Sequence, residues 1–200
     1  MMFDLVYPLE SNLPLYPRPT VDAPGEFRPH PGEEMLPVVE PGGLVIGQAT
    51  RTACHSGTHL LHPVVHLHLI DRDGRIYLQR RSAAKDLWPG RWDTAVGGHV
   101  CFGEQIPDAL AREAAEEIGL FDFNPAWLET YTWETARDSE LVVVFALVGH
   151  PELHPDNPEV TEGGWWTEAE IRQAIKSHRV LTPNFESEFE RIHDALFALL

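Results

Sequence analysis

The 200-residue chain is strongly acidic, with 15 basic residues against 31 acidic ones and a formal net charge of −16 at pH 7. A surface with this charge repels nucleic-acid backbones and anionic lipid surfaces, so we expect neither a nucleic acid nor a membrane as a partner. The apolar fraction of 43% and the six tryptophans exclude a wholly disordered chain and indicate a folded protein of one enlarged domain, or one domain with an arm.

The cysteine content and the first residues indicate a cytoplasmic protein. The chain has only two cysteines, Cys54 and Cys101, which suits a reducing compartment and does not require a disulfide. The start of the chain lacks the basic residues and the long apolar run of a signal peptide. No apolar stretch reaches membrane-spanning length.

The first 36 residues differ from the rest of the chain because they contain seven prolines. Proline removes a backbone donor and interrupts regular pairing, whereas apolar side chains such as Phe3 and Tyr16 argue against a free tail. We interpret residues 1–36 as an extended arm that wraps its own domain or the neighbouring subunit of a homodimer, with simple disorder as the alternative. Residues 37–200 then form the folded domain.

Apolar periodicity and turn residues predict alternating strands and helices in this domain. A short strand pair is expected at 36–40 and 43–48, and further strands at 64–70, 75–80, 127–134 and 141–148. Residues 92–99 are expected to form a strand and a loop. Helices are expected at 107–118, 168–177 and 184–200; Thr167 and Thr182-Pro183 are good starting residues for the last two. Residues 149–164 are expected to form a proline-bearing loop. This alternation favours an α/β sandwich.

The most informative stretch of the sequence lies between residues 98 and 120. Three carboxylates, Glu113, Glu116 and Glu117, are spaced at i, i+3 and i+4, which places them on one face of the predicted helix. Oxygen ligands at this density suit a hard divalent ion such as Mg²⁺ or Mn²⁺. The stretch therefore predicts a metal and phosphate site, with a helix that has a solvated acidic face as the alternative.

The same stretch resembles the Nudix box, in which a glycine and a glutamate precede an Arg-Glu-apolar-any-Glu-Glu-any-Gly-apolar segment. Ala114 is small for the first apolar position. The resemblance implies a Nudix-type α/β/α sandwich with a mixed β-sheet for residues 37–200, preceded by the Pro-rich arm. It also implies a metal-dependent hydrolase that uses Mg²⁺ or Mn²⁺. The matching positions are Gly98, Glu104, Arg112, Glu113, Glu116, Glu117, Gly119 and Leu120.

The resemblance assigns catalytic roles to residues of this box. It implies that Glu113, Glu116 and Glu117 hold the catalytic metal together with the backbone carbonyl of Gly97. The position of Glu113 also acts as a base in some members of the family. We therefore treat these three glutamates as catalytic residues as well as metal ligands.

Further residues are expected to support or complete the site. The resemblance gives Gly98, Glu104 and Arg112 a supporting role, and we expect Arg112 to point to a different face of the helix from the metal row. Family members often add an acidic residue from a later loop. Glu159 is our candidate for this catalytic role and Glu162 is its competitor, while a solvated loop charge is the alternative for either.

A basic cluster upstream of the box indicates one branch of the family. Residues 79–93 resemble isopentenyl-diphosphate isomerase and its hydrolase-like relatives, in which basic residues of this region contact the diphosphate. Arg80, Arg81 and Lys85 are accordingly our candidates for substrate binding, with an exposed basic turn as the alternative. True isomerases need a catalytic cysteine in the segment that corresponds to Trp92–His99, and this segment has none.

These observations predict hydrolysis of a nucleoside diphosphate linked to another group, or of a related small organic diphosphate. Isomerisation of isopentenyl diphosphate and non-catalytic nucleotide sensing are the alternatives. We interpret the five histidines between residues 55 and 68 as sheet and loop residues, because their spacing completes no tetrahedral zinc site, although they could contribute to substrate binding. They are His55, His59, His62, His66 and His68.

Overall fold

The computed structural model describes residues 33–84, 87–154 and 160–200. Most of the predicted arm therefore lies outside the described residues, as do Lys85 and Glu159. The helices are α1 (Arg51–Cys54), α2 (Ile106–Ile118), α3 (Glu168–Ile175) and α4 (Pro183–Phe197). The strands are β1 (Met35–Val39), β2 (Val45–Thr50), β3 (Leu61–Ile70), β4 (Ile76–Arg81), β5 (Trp92–Asp93), β6 (Val96–His99), β7 (Ala126–Glu134), β8 (Ser139–Val148) and β9 (Val160–Trp166).

These strands form two sheets, and the fold is α/β as predicted. Strands β1 and β2 form an antiparallel pair, which confirms the predicted strand pair at this position. The other seven strands form one mixed sheet with the order β5-β4-β3-β8-β7, to which β6 is added through β3 and β9 through β4. Strand β4 pairs antiparallel with β3, β5 and β9.

The chain is divided into two compact units. The first comprises the described part of Met1–Val65 with His99–Ala109 and Thr130–Val143, and the second comprises His66–Gly98, Leu110–Glu129 and Val144–Leu200. Buried residues of the first unit include Leu36, Cys54, Val64 and Val142. Buried residues of the second unit include Leu67, Leu78, Ile118, Phe185 and Phe189.

Helices α3 and α4 begin where the sequence predicts. The Thr167 hydroxyl accepts from the Glu170 backbone N–H while the Glu170 carboxylate accepts from the Thr167 N–H, so α3 starts with a complete capping box. The Thr182 side chain accepts from the Phe185 N–H at the start of α4. Among the residues the structure describes, no helix is both long enough and apolar enough to cross a membrane.

Strand β9 corrects the prediction of a loop over residues 149–164. Gly163 and Gly164 lie opposite Gln79 and Leu78 of β4, so this Gly-Gly pair is part of a ladder. Glycine is needed because the phenol ring of Tyr77 occupies the space that a Cβ at residue 163 would fill. In a sequence, two adjacent glycines usually indicate a turn. In this structure they lie within β9 and allow the Tyr77 ring to approach the strand closely.

Candidate active site and metal centres

The predicted carboxylate row lies on α2 beside the glycines that end β6. Glu117 Oε2 accepts from the Gly97 backbone N–H at 3.2 Å and from Gln79 Nε2 at 2.9 Å. The Glu113 carboxylate occupies the space that a Cβ at Gly98 would need. The structure therefore brings Glu113 and Glu117 together with both glycines, and a side chain at residue 98 would displace Glu113.

Arg112 lies closer to the row than expected. Its Nη1 atom is 2.7 Å from Glu113 Oε1 and 3.5 Å from Glu116 Oε2. The expectation that Arg112 points to a different face is wrong, because Glu116 lies four residues further along the helix and shares a face with Arg112. The long side chain also brings the guanidinium against the neighbouring Glu113. The three carboxylates supply the oxygen donors that suit a divalent cation.

Glu104 contacts the loop that precedes α2. Its Oε2 atom accepts from the Cys101 backbone N–H at 3.0 Å, and the Glu104 N–H donates to the Cys101 carbonyl at 3.0 Å. These two bonds close the turn between β6 and α2. The Cys101 thiol in turn lies 3.8 Å from Glu34 Oε1.

The candidate phosphate-binding arginines have acidic partners within the fold. Arg80 Nη1 lies 3.4 Å from Glu162 Oε2, and Arg80 Nε donates to a backbone carbonyl. Arg81 Nη1 lies 3.3 Å from Asp93 Oδ2. The Arg80–Glu162 pair is exposed, whereas the Arg81–Asp93 pair is partly buried. Exposed pairs are weak, so Arg80 remains available to an anionic ligand at a small energetic cost. Glu162, the competitor of Glu159, is engaged by Arg80.

A second candidate metal centre lies in the first unit. His55, His62, His99 and Glu140 each offer one ligand atom, and these atoms all lie within 4.8 Å of one another. Two ligands on opposite sides of one ion are about 4.2 Å apart, so the cluster has nearly the dimensions of a coordination shell. Because it is rich in imidazole nitrogen, the cluster suits a transition metal ion.

The hydrogen bonds around this cluster leave imidazole nitrogens directed towards its centre. His62 Nδ1 contacts the Leu60 carbonyl at 2.9 Å, and its buried Nε2 has no hydrogen-bond partner among the described residues. Burial lowers the pKa of His62, so the ring is neutral and Nε2 carries a lone pair. A neutral imidazole whose other nitrogen is held by an acceptor is the usual form of a histidine ligand.

His55 is held in the same way by a carboxylate. Its Nδ1 lies 2.7 Å from Asp138 Oδ2, and its Nε2 lies 2.9 Å from His99 Nε2. Burial alone would raise the pKa of Asp138, but hydrogen bonds from Thr135 and His55 outweigh it and lower this pKa. The ionised Asp138 therefore fixes the orientation of His55, and the donors present fit a bound cation.

The chain is similar in sequence to proteins of one known family. The NUDIX domain model matches residues 60–185, so the chain belongs to the Nudix family. It is 34% identical over 146 residues to an isopentenyl-diphosphate Delta-isomerase of Leifsonia xyli, covering 68% of this chain and 77% of that protein. It is 30% identical over 176 residues to an isopentenyl-diphosphate Delta-isomerase of Agromyces mediolanus, covering 84% and 83%.

A solved structure resembles this chain over most of its length. The crystal structure of DR0079 from Deinococcus radiodurans has a TM-score of 0.70 and 25% sequence identity, and the match covers 80% of this chain and 99% of that one. The Nudix family and its branch related to isopentenyl-diphosphate isomerase, both inferred from sequence motifs, are therefore confirmed.

Proposed function

We propose that the chain is a divalent-metal-dependent hydrolase that cleaves the diphosphate linkage of a nucleoside diphosphate joined to another group, or of a related small organic diphosphate. The supporting observation is the contact of Glu113 and Glu117 with the Gly97–Gly98 pair of β6, which places these carboxylates beside the exposed Gly97. Glu113, Glu116, Glu117 and the Gly97 carbonyl would hold Mg²⁺ or Mn²⁺, which polarises phosphate oxygen and lowers the pKa of water when bound.

The residues of the row have separate parts in this proposal. The Gly97 N–H and Gln79 hold the Glu117 carboxylate, so its orientation is set before a ligand arrives. Arg112 bridges Glu113 and Glu116, which limits the repulsion between them. Glu113 is our candidate for accepting the proton of the attacking water. Water forms the new P–O bond, the bridging P–O bond breaks, and two phosphorylated products and a proton result.

Isomerisation of isopentenyl diphosphate is the second candidate function. One observation favours it: the relatives compared above are named isopentenyl-diphosphate Delta-isomerases. The residues of the Trp92–His99 segment oppose it, because a glycine pair stands where the resemblance requires a cysteine thiol.

The experiment is product analysis by chromatography on a panel of diphosphates with Mg²⁺ or Mn²⁺. The panel holds nucleoside diphosphate sugars, dinucleotides, coenzyme A, nucleoside triphosphates and isopentenyl diphosphate. We expect metal-dependent cleavage by the wild type and loss of cleavage in Glu117→Gln. Glu190→Gln, which removes a half-exposed carboxylate of α4, is the matched control and should keep full activity. Conversion of isopentenyl diphosphate to its isomer would instead support the second candidate.

A further inference from the structure

A tryptophan in the loop between β4 and β5 is exposed and has an unusual backbone conformation. Trp88 has a φ of 53°, in the left-handed region that bulky residues rarely adopt, and 44% of its surface is exposed. Burial in the core therefore does not account for this conformation. Costly backbone conformations persist where the surroundings hold them, and they concentrate at functional sites. The proposed hydrolysis at the carboxylate row gives this side chain no role.

One face of the Trp88 ring is covered by Arg91. The guanidinium carbon of Arg91 lies 4.5 Å from the centre of the ring, which is a cation–π distance. Arg91 Nη1 also donates to the carbonyls of Leu181 at 3.0 Å and His178 at 3.3 Å, so the guanidinium is itself held in place. The ring is therefore supported from one side, and its exposed surface is accessible to another molecule.

The loop that carries Trp88 is attached to Arg81, one of the candidate substrate-binding residues. Arg81 Nε donates to the Leu87 carbonyl at 3.2 Å. The Arg81 N–H donates to the Arg91 carbonyl at 2.9 Å, and the Arg81 carbonyl accepts from the Gly90 N–H at 3.1 Å. Because Trp88 directly follows Leu87, the ring belongs to the residue next to the one that the Arg81 guanidinium contacts.

Arg81 lies on the face of β4 that is turned towards the carboxylate row. Side chains two residues apart on a strand share a face, so Arg81 is on the same face as Gln79, whose Nε2 contacts Glu117 Oε2 at 2.9 Å. Asp93 of β5 pairs with Gln79, and its carboxylate lies 3.3 Å from Arg81 Nη1, as expected for side chains on one face. The row, Arg81 and Trp88 therefore follow one another along β4 and the loop after it.

The order of these groups matches the order of groups in a nucleoside diphosphate. The row would take the diphosphate with its metal ion, Arg81 comes next, and a base joined through its sugar would extend towards Trp88. Flat bases stack on aromatic side chains, whatever the base. On a half-exposed ring beside the charged Arg91, a base keeps its polar edges in water. A prenyl chain has no polar edges and gains more from an enclosed apolar pocket.

We infer that Trp88 is a specificity-determining residue whose exposed ring stacks on the base of a nucleoside diphosphate, with Arg91 as the positioning residue that supports the ring. This inference rests on the proposed function, because it names the substrate class of the same site. It selects the nucleoside-containing diphosphates from the two classes that the proposed function allows.

The test measures binding rather than turnover. The nucleoside probes are the α,β-methylene diphosphates of adenosine, guanosine, cytidine and uridine, which cannot be cleaved at the diphosphate bridge. Methylenediphosphonate is the probe with the same bridge and no nucleoside. Each is titrated into the full chain with Mg²⁺ by isothermal calorimetry. We expect the best nucleoside probe to bind the wild type at least about tenfold more tightly than methylenediphosphonate.

The variant Trp88→Gly removes the ring, and its backbone should be tolerated because glycine adopts the left-handed conformation readily. Its Kd for the best nucleoside probe should rise about tenfold or more. Its Kd for methylenediphosphonate should stay within about twofold of the wild type. Trp88→Phe keeps a ring for stacking and should lose less affinity than Trp88→Gly. The matched control is Phe121→Ala, which removes an exposed ring elsewhere and should bind both kinds of probe like the wild type.

Three results would overturn the inference. One is wild-type affinity of Trp88→Gly for the nucleoside probes, or a nucleoside probe that binds the wild type no better than methylenediphosphonate. Another is an equal loss of affinity for both kinds of probe, because the ring would then support the diphosphate site rather than a base. The third is an affinity gain from the chain of isopentenyl methylenediphosphonate that disappears in Trp88→Gly. By contrast, nucleoside binding that depends on Trp88 in a protein that cleaves no diphosphate would overturn the proposed function and leave the inference standing.

A spectroscopic measurement on the wild type keeps the test decisive if Trp88→Gly does not fold. The six tryptophans are labelled as 5-fluorotryptophan, and the ¹⁹F resonance that is missing in Trp88→Phe belongs to Trp88. Saturation with the best nucleoside probe should shift this resonance, and saturation with methylenediphosphonate should shift it much less. An equal response to the two probes would contradict stacking of a base on this ring.

Discussion

Replacing Gly98 with alanine tests how closely the glycine pair of β6 and the carboxylate row fit together. A Cβ at residue 98 would overlap the Glu113 carboxylate. Ordinary carbon contacts are about 3.5 Å or longer, so the carboxylate must move by about 1 Å or more. The backbone of Gly98 does not adopt the left-handed conformation, so no backbone strain is added. We expect a fall in kcat of about 100-fold, the usual result of a 1 Å misplacement.

Stability should change little in Gly98→Ala, because the overlapping atoms belong to the end of a flexible side chain. The assay is the rate of metal-dependent cleavage at saturating substrate and Mn²⁺, beside the thermal midpoint of unfolding. Gly47→Ala is the control: its Cβ would have Val38 Cβ as nearest neighbour at 4.0 Å, so it should match the wild type in rate. A Gly98→Ala protein that keeps the wild-type kcat would refute the role given to Glu113.

Three further perturbations test other parts of the structure. His62→Gln should weaken Co²⁺ binding, followed by the visible absorption of the ion, at least about tenfold; an unchanged spectrum and affinity would remove the histidine cluster as a metal centre. Burial alone would raise the pKa of Glu188, but His66 and His68 outweigh it and lower this pKa in the folded state, so the ionised carboxylate stabilises the fold fully above the unfolded pKa of about 4.3. As the pH falls below this value, the stabilisation is lost at about 1.4 kcal/mol per pH unit. Measured by urea unfolding from pH 5.5 to 3.5, the free energy of unfolding should fall more steeply with decreasing pH in the wild type than in Glu188→Gln. Equal slopes in the two proteins would contradict this expectation. Gly163→Ala should lower the free energy of unfolding by about 1–3 kcal/mol through overlap with Tyr77, whereas Gly42→Ala, with open space around it, should not.

The carboxylate row could be predicted from sequence because its geometry is local. Helical periodicity alone places Glu113, Glu116 and Glu117 on one face, and the spacing of the motif places Gly98 before them. The starts of α3 and α4 were predictable for the same reason, since a cap depends on residues within one turn. The prediction for Arg112 considered only the adjacent Glu113, whereas Arg112 and Glu116 are four residues apart and share a face. A long guanidinium can also reach an adjacent carboxylate.

The histidine sites could not be predicted because they depend on long-range contacts. His55 and His99 are 44 residues apart, and His66 and Glu188 are 122 residues apart. Local patterning predicted the strand on which His66 lies and the helix that carries Glu188, but not the contact between the two residues. The one signal in the sequence was the density of histidines before and within β3, whose spacing alone does not reveal that they divide between two clusters.

The central claim is hydrolysis at phosphorus that depends on the carboxylate row. The most direct measurement is mass spectrometry of the products formed in ¹⁸O-labelled water with Mn²⁺, with the best nucleoside diphosphate of the panel and with isopentenyl diphosphate as parallel substrates. The account predicts one ¹⁸O atom in a phosphorylated product of the wild type and none in Glu117→Gln. Unlabelled isomer from isopentenyl diphosphate, formed equally well by Glu117→Gln and without cleavage of any diphosphate, would contradict it.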